Sequence, residues 1–506
     1  MADKDFDVII VGAGLSGINA AYLLQTQVPG IRYTILEGRK ELGGTWAFWK
    51  YPGARSDSAS SVFCFTWHSW PHDTDFADAS SIQAYAEDAV RTQGIDKHIR
   101  FNQRVDGMRW STAEQLWMLD VNQTNDGNGN DTDAKIIPLQ YRTRWIIHCS
   151  GYYSYEKAQK VDIPGLDSFG GTVSHPQFWT EADDKAVAGK RVVLIGSGAT
   201  AVTMLPHLAA SASHVTMLQR SPSYVMTLPR RNPMARLLHR WLPRRLAEVL
   251  DWYRHMLTEH VFVLFLLHFP GLGRRILRAM TRHQLPDDCP VDVHFNPRYT
   301  PFEQRLCMAP GGDFFRALNQ PNCDIVTGVI DSVTADGIHL REKDQPDIKA
   351  DVIITATGLH VQILGGDVPV VDGRSVNINE RFIWRSCMVE GIPNAALIIG
   401  YVTGTWIPGA DVRFRTALSV IKRMRSIGAT SAVPTIDPAV REALPHIPVL
   451  PNSSGYLVNA RDRLPMSSGK CPWVNGRDWF KDAWHNLTGN SKDGIVYTVP
   501  DDKKKV

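Results

Sequence analysis

The stretch "FDVIIVGAGLSG", Phe6 to Gly17, constrains the fold more than any other part of this 506-residue chain. Val8 to Val11 is an unbroken β-branched run, the pattern of a strand buried on both faces of a parallel sheet. Gly12, Gly14 and Gly17 follow as G-x-G-x-x-G, and "LSGINAAYLLQ" continues as a helix that ends at Pro29-Gly30. Such glycines permit a tight turn, close approach of backbone to a diphosphate, and close helix–strand packing, while the helix N-terminus stabilises phosphate charge. The next strand, "YTILEGR", closes on Glu37, 25 residues after Gly12. A carboxylate there accepts hydrogen bonds from ribose hydroxyls and repels a 2′-phosphate.

The design occurs twice. "KRVVLIGSGATA" supplies a strand, Val192 to Ile195, then Gly196, Gly198 and Ala201 as G-x-G-x-x-A. Its second strand, "HVTMLQRS", closes on Arg220 and Ser221, with Arg220 24 residues after Gly196. A guanidinium fork matches a phosphate dianion, so the second turn reads as selective for NADP(H), with Pro206 a possible kink in the helix behind it. One dinucleotide bound through an acid and a second that is NADPH suggest a flavoprotein reduced by a nicotinamide, with FAD carrying the electrons.

Two further apolar segments ending at glycine, "RWIIHCSGYY" (144–153) and "DVIITATGLH" (351–360), bracket the second turn. They predict where the chain crosses between units. The expected fold class is α/β, with two Rossmann-like dinucleotide-binding domains. The FAD domain takes residues 1–155 and 360–506, the NADP domain 160–355, and a helical subdomain, 229–300, is inserted in the latter. Within that insertion "RRNPMARLLHRWLPRRLAEVLDWYRHMLTEHVFVLFLLHF" has helical period and many arginines. It reads as a cap over the active site with solvated arginines, or as a helix that meets a membrane surface. "NQTNDGNGNDTD" (122–133) reads as a polar hairpin tip and "DDKKKV" as a solvated tail.

Composition narrows the function classes. The net charge of +3 supports no nucleic-acid partner. The seven cysteines, Cys64, Cys149, Cys289, Cys307, Cys323, Cys387 and Cys471, contain no C-x-x-C pair. That spacing argues against a disulfide framework, a metal site and a dithiol redox centre. The N-terminus enters a strand directly, and the apolar run "VFVLFLL" is too short to span a bilayer. A reducing, cytoplasmic setting is therefore expected, and the sequon at Asn486 is expected to be idle.

After Glu37 comes "GGTWAFWKYPGARSDS". Gly43, Gly44, Trp46, Tyr51, Pro52, Gly53 and Asp57 fill a pattern of class B flavin monooxygenases, [AG]-G-x-W-x-x-x-x-[FY]-P-[GM]-x-x-x-D. "FGGTVSHPQFW" fits F-x-G-x-x-x-H-x-x-x-W through Phe169, Gly171, His175 and Trp179. With both nucleotide turns and "TATG", the chain resembles the type I Baeyer–Villiger monooxygenases over nearly its whole length. It resembles in particular the mycobacterial ethionamide-activating branch, through "YPGARSDS", "CSGYYSY", "GSGATAVT", "MLQRSPSY" and "QRLCMAP". Thr180 departs from the Pro or Asp that usually follows the fingerprint Trp.

The resemblance implies a chemistry and a set of residues. NADPH reduces FAD, O₂ adds at flavin C4a, and the peroxide attacks a ketone to give an ester or lactone, with sulfide or thioamide oxidation as a side activity. Family members keep the peroxide anionic with an arginine that an aspartate holds, here Arg305 and Asp57. The implied cofactor contacts are Gly12, Gly14, Ser16, Gly17, Glu37, Gly44, Thr45, Trp46, Arg55, Asp57 and Val105 at the first turn. At the second they are Gly196, Ser197, Gly198, Ala199, Thr200, Ala201, Arg220 and Ser221. His175 and Trp179 are expected at the connection between domains, with the indole wedging the interface rather than touching substrate. Substrate walls are expected from the helical cap and from "GYVTGTW" (400–406). The competing readings are an N- or S-oxygenase acting on soft heteroatoms, which needs no arginine, and an NADPH oxidase.

Overall fold

A computed structural model describes residues 5–72, 74–124, 136–342, 346–402, 404–450, 452–488 and 491–500. Two sheets organise it. The larger has nine strands, and at its centre Asp5–Val11 pairs in parallel with Tyr33–Leu36 on one side and Ile136–His148 on the other. Gln103–Ser111 and Leu116–Thr124 extend it antiparallel beyond Ile136–His148. Val370–Val371, Arg374–Ser375 and Ala395–Leu397 come from the far end of the chain, so both ends of the sequence build this sheet.

The β-branched run behaves as its composition requires. Val8 and Ile10 pack in one apolar cluster with Ile18, Leu24 and Phe414. Ile9 points the other way, into a cluster with Leu119, Tyr141 and Val361. The helix Leu15–Gln27 lies on the first face, and Trp406–Ile427 packs beside it, held by an Asn19–Asp411 hydrogen bond of 3.1 Å.

The second sheet has five strands, all parallel, in the order Cys323–Thr327, His214–Gln219, Arg191–Ile195, Val352–Thr355 and Thr172–Ser174. The helix Ala199–Ser211 follows its second glycine turn and carries Pro206 without ending there. Between the sheets, Tyr153–Ala158 and Leu359–Val361 run antiparallel as a two-stranded ribbon, pairing Tyr153 with Val361 and Ala158 with Leu359. The outgoing and returning connections are thus joined by backbone hydrogen bonds.

The 229–300 segment forms the helices Pro233–Trp241, Arg244–His268, Pro270–Arg282 and Val291–His294. Its outward side differs from the solvated arginine face that the sequence suggests. Leucines and valines as well as arginines are exposed there. Of the polar hairpin tip, residues 122–133, positions 125–133 lie outside the described residues, as does the tail 501–506.

Candidate active site

The first glycine turn and the helix that follows the second open on one cavity of about 590 Å³. Gly12, Gly14, Ser16, Glu37, Gly44, Thr45, Trp46, Arg55, Asp57 and Val105 line it from the side of the nine-stranded sheet. Ala199, Thr200 and Thr203 line it from the second turn, and Arg305 from a loop that precedes the strand Cys307–Pro310.

The first turn is shaped to receive a large anionic group. Gly12 has φ +103°, and a methyl there would stand 2.7 Å from the Cys149 carbonyl oxygen. Gly14 caps the helix Leu15–Gln27 with no side-chain acceptor, and no acidic residue occupies the first turn. Those first-turn N–H groups are the donors that a helix end leaves unmet. Glu37 is buried, its carboxylate accepting from Ala13 N–H at 2.7 Å and Arg39 N–H at 3.0 Å. Burial pushes its pKa up, and these two donors oppose the shift. A cavity with bare helix amides at one point and a fixed carboxylate at another fits a dinucleotide such as FAD.

At the second turn Gly198 likewise caps Ala199–Ser211 without a side-chain acceptor. Ser197 Oγ donates to the Ser221 carbonyl at 3.0 Å and accepts from Ser223 Oγ at 3.0 Å, which fixes the turn against the next strand. Arg220 is exposed, with no ion-pair partner among the described residues. Gly196, Ser197, Gly198, Ala201, Arg220 and Ser221 do not line the cavity, and neither does Gly17. Gly17 instead packs under the first turn, where a methyl would come within 2.0 Å of the Gly12 carbonyl oxygen.

Between the turns, the "YPGARSD" loop joins the two sheets. Gly53 has φ +83°, and a methyl there would meet the Thr203 carbonyl oxygen and the His207 ring at 2.5 Å. Two residues on, Arg55 donates to both Asp313 oxygens, at 2.6 and 3.3 Å, tying the loop to the start of the helix Asp313–Leu318. Asp57 accepts from Arg305 Nε at 3.1 Å and from Nη2 at 2.6 Å. That leaves Nη1 with no protein partner among the described residues. The carboxylate beside it pushes the Arg305 pKa above its ordinary value, so the group stays cationic. Its side chain is 39% exposed, and it lines the cavity.

The fingerprint residues Phe169, Gly171, His175 and Trp179 line no part of the cavity. Trp179 is buried in the core of the five-stranded sheet, its indole N–H donating to Asp184 at 2.9 Å, so it is an anchor within that unit and not a wedge between units. His175 Nδ1 accepts from Gln177 N–H at 3.1 Å, while its Nε2 is buried without a partner among the described residues. The bridge to the ribbon is made by Gln177, whose amide donates to the Ser154 and Lys157 carbonyls at 2.8 and 3.3 Å. Thr180 caps the helix Glu181–Val187. The Asp183 carboxylate accepts from its N–H at 2.7 Å and its hydroxyl at 2.8 Å, an arrangement a proline cannot make.

Several functional neighbours carry no local signal. Tyr153 donates to Thr45 at 2.9 Å and accepts from the Trp49 indole at 2.8 Å, joining the ribbon to the first-turn loop. Trp406 stacks on Tyr152 with centroids 5.4 Å apart and donates to Ser16 at 3.0 Å. Tyr401, Val402, Gly404 and Trp406 line the cavity as expected of "GYVTGTW", Thr403 lying outside the described residues. The helical cap lines none of it. The cap reaches the wall through Glu259, which accepts from Thr405 Oγ1 at 3.0 Å and whose pKa burial raises.

Comparison with known proteins agrees with this geometry. A family model described as an NAD(P)-binding Rossmann-like domain matches residues 10–79. The chain is 39% identical over 480 residues to the FAD-containing monooxygenase EthA of Mycolicibacterium smegmatis, covering 95% of this chain and 94% of that one. It is 35% identical over 506 residues to the putative FAD-containing monooxygenase MymA of Mycobacterium tuberculosis, covering 98% of each. The fold matches cyclohexanone monooxygenase from Rhodococcus sp. Phi1 bound to NADP+, with a TM-score of 0.73, 18% identity, and coverage of 98% of this chain and 100% of that one. With full-length identity of this order, the chain belongs to the family of FAD-containing monooxygenases.

Proposed function

We propose that this monooxygenase uses FAD, NADPH and O₂ to insert one oxygen atom beside a ketone carbonyl, giving an ester or lactone, and that it also oxidises sulfides and thioamides. In this reading residues 1–155 and 360–506 hold FAD and residues 160–355 hold NADPH. FAD, once reduced by NADPH, supplies the activation of O₂. Glu37 accepts from the ribose hydroxyls of the flavin nucleotide, and the bare amides after Gly14 face its diphosphate. Thr45, Trp46 and Val105 bound its path. Arg220, beside Ser221, selects NADPH through the 2′-phosphate, and the amides after Gly198 face the second diphosphate.

The observation that carries the ketone reading is the two-point contact of Asp57 with Arg305 in the wall of this cavity. A guanidinium does not deprotonate at working pH, and Asp57 fixes the plane of its fork. Nη1 is left to donate toward negative charge that develops beside the carbonyl. A charge-assisted hydrogen bond is worth about 1.5–3 kcal/mol. Realised only as that charge forms, it corresponds to roughly ten- to a hundredfold in rate. Oxidation of a soft sulfur by an electrophilic oxygen needs no such cation.

The test is product analysis of the purified yellow protein with NADPH on linear ketones, cyclic ketones and thioethers. Esters or lactones from ketones support the proposal. Sulfoxides alone would assign the chain to the heteroatom oxygenases, and NADPH consumption yielding only hydrogen peroxide to the oxidases.

A further inference from the structure

The outward side of the helices between 233 and 282 is apolar where a solvated cap would be polar. Along Arg244–His268, Leu246, Val249, Tyr253, Leu257, Val261 and Leu264 recur every three or four positions and all face out. Pro233–Trp241 presents Met234, Leu237 and Trp241 in the same way. Pro270–Arg282 presents Leu272, Ile276 and Met280. These twelve side chains are between 38 and 73% exposed, Trp241 the most. A stripe of this length on three successive helices exceeds the scattered apolar exposure of an ordinary protein surface.

The stripe is not an unfilled core. The opposite side of the long helix is already docked: Met256 packs against Ala59 and Val62, and Leu266 against Tyr224, Met226 and Leu306. The charge around the stripe is predominantly positive. Between Arg230 and Arg282 the sequence holds eleven arginines and three carboxylates, a net charge of +8 where the whole chain has +3. All three carboxylates are engaged: Glu248 with Arg244, Asp251 with Arg254, and Glu259 with Thr405. Arg236, Arg240, Arg245, Arg275 and Arg282 are exposed, with no carboxylate partner among the described residues. Arginine stems lie along apolar surface while their heads reach a polar layer, and an indole such as that of Trp241 suits the same boundary. Among the described residues no single helix is long and apolar enough to cross a membrane. Arg244–His268 and Pro270–Arg282 meet at 113°.

We propose that this helical face docks on the surface of an anionic phospholipid bilayer, its apolar stripe entering the acyl boundary and its arginines meeting the headgroup phosphates. The same long helix contacts the cavity wall through Glu259 and Thr405, so docking sets the site just behind the lipid surface. The inference is independent of the ketone chemistry above, and neither falls with the other.

The test is flotation of the FAD-loaded full chain with vesicles of phosphatidylcholine alone and of equimolar phosphatidylcholine and phosphatidylglycerol. Binding to the anionic vesicles is expected, falling about fivefold for each arginine removed in Arg240→Ser and Arg245→Ser and weakening as salt rises. Leu257→Asp with Val261→Asp should lose binding by about a hundredfold or more, with the flavin spectrum and melting temperature in vesicle-free buffer unchanged. Flotation with neither vesicle, or equal flotation of the aspartate variant, would overturn the proposal. So would elution of the wild type as a dimer that the aspartate variant abolishes, because a second copy of the chain would then cover the face. Because the two aspartates replace exposed side chains, a variant that fails to fold would mean the stripe is internal, and would overturn it as well.

Discussion

Arg305 and Asp57 stand 248 positions apart in sequence and meet through two N–H···O contacts of 3.1 and 2.6 Å. The carboxylate is fixed by a loop that also grips the second sheet through Arg55 and Asp313. Orientation of the guanidinium is therefore a property of how the two sheets are joined, not of its own loop.

Arg305→Ala is expected to lower ketone oxygenation by about ten- to a hundredfold, while flavin binding and sulfoxidation persist. Asp57→Ala should follow in the same direction by releasing the fork. Parallel assays of ester, sulfoxide and hydrogen peroxide check it. Equal loss of ester and sulfoxide would mean that the pair holds the structure and has no part in the chemistry.

Arg220→Ala is expected to raise KM for NADPH by about tenfold, the lower end of a charge-assisted hydrogen bond because the side chain is exposed. NADH, which has no 2′-phosphate, should show little change. Steady-state kinetics with both nucleotides decide it.

Gly53→Ala places a methyl 2.5 Å from the Thr203 carbonyl oxygen and the His207 ring, at a φ of +83°. The strain should cost about 1–3 kcal/mol, seen as a lower melting temperature. Gly198→Ala meets nothing within 4 Å and serves as the tolerated control for stability alone.

His148 is buried with neither ring nitrogen partnered among the described residues, and burial pushes its pKa from 6.5 down to about 3. Above pH 6.5 the ring is neutral in both folded and unfolded chains and contributes no pH dependence. Below that pH the unfolded chain takes up a proton that the folded protein refuses. Stability should then fall by about 1.4 kcal/mol per pH unit until the folded value is reached. His148→Leu should flatten the acid side of a plot of melting temperature against pH, and an unchanged slope would place the loss elsewhere.

Gln177→Leu removes both bonds between the fingerprint turn and the carbonyls of Ser154 and Lys157. It is expected to separate NADPH consumption from oxygenated product more than His175→Ala does, since the His175 ring bonds within its own turn. Product yield per NADPH, measured for both variants, tests the order.

The parts of this molecule that obey short-range rules were legible in the chain. Glycine turns, their buried strands and the closing residues Glu37 and Arg220 follow from sterics within 25 or so positions. Arg305 and Asp57 were reachable only through a family motif, because no periodicity links residues so far apart. Arg55 was singled out, but its partner Asp313, 258 positions away, was not. Gln177 was hidden between two motif residues and has no pattern of its own. On the long helix, leucines fall on more than one side of the helical period, while its arginines stand only at 244, 245 and 254. Which side faces inward depends on what the rest of the chain has already covered, and that is invisible until the fold closes.

The paired strands Tyr153–Ala158 and Leu359–Val361 bring together two points of the backbone separated by some two hundred positions. The polypeptide leaves the larger sheet and comes back to it through one doorway. A short loop spanning that doorway would close the larger sheet without the intervening stretch. The five-stranded unit and its helices thus have the topology of a cassette, which a gene could acquire, exchange or lose in a single event.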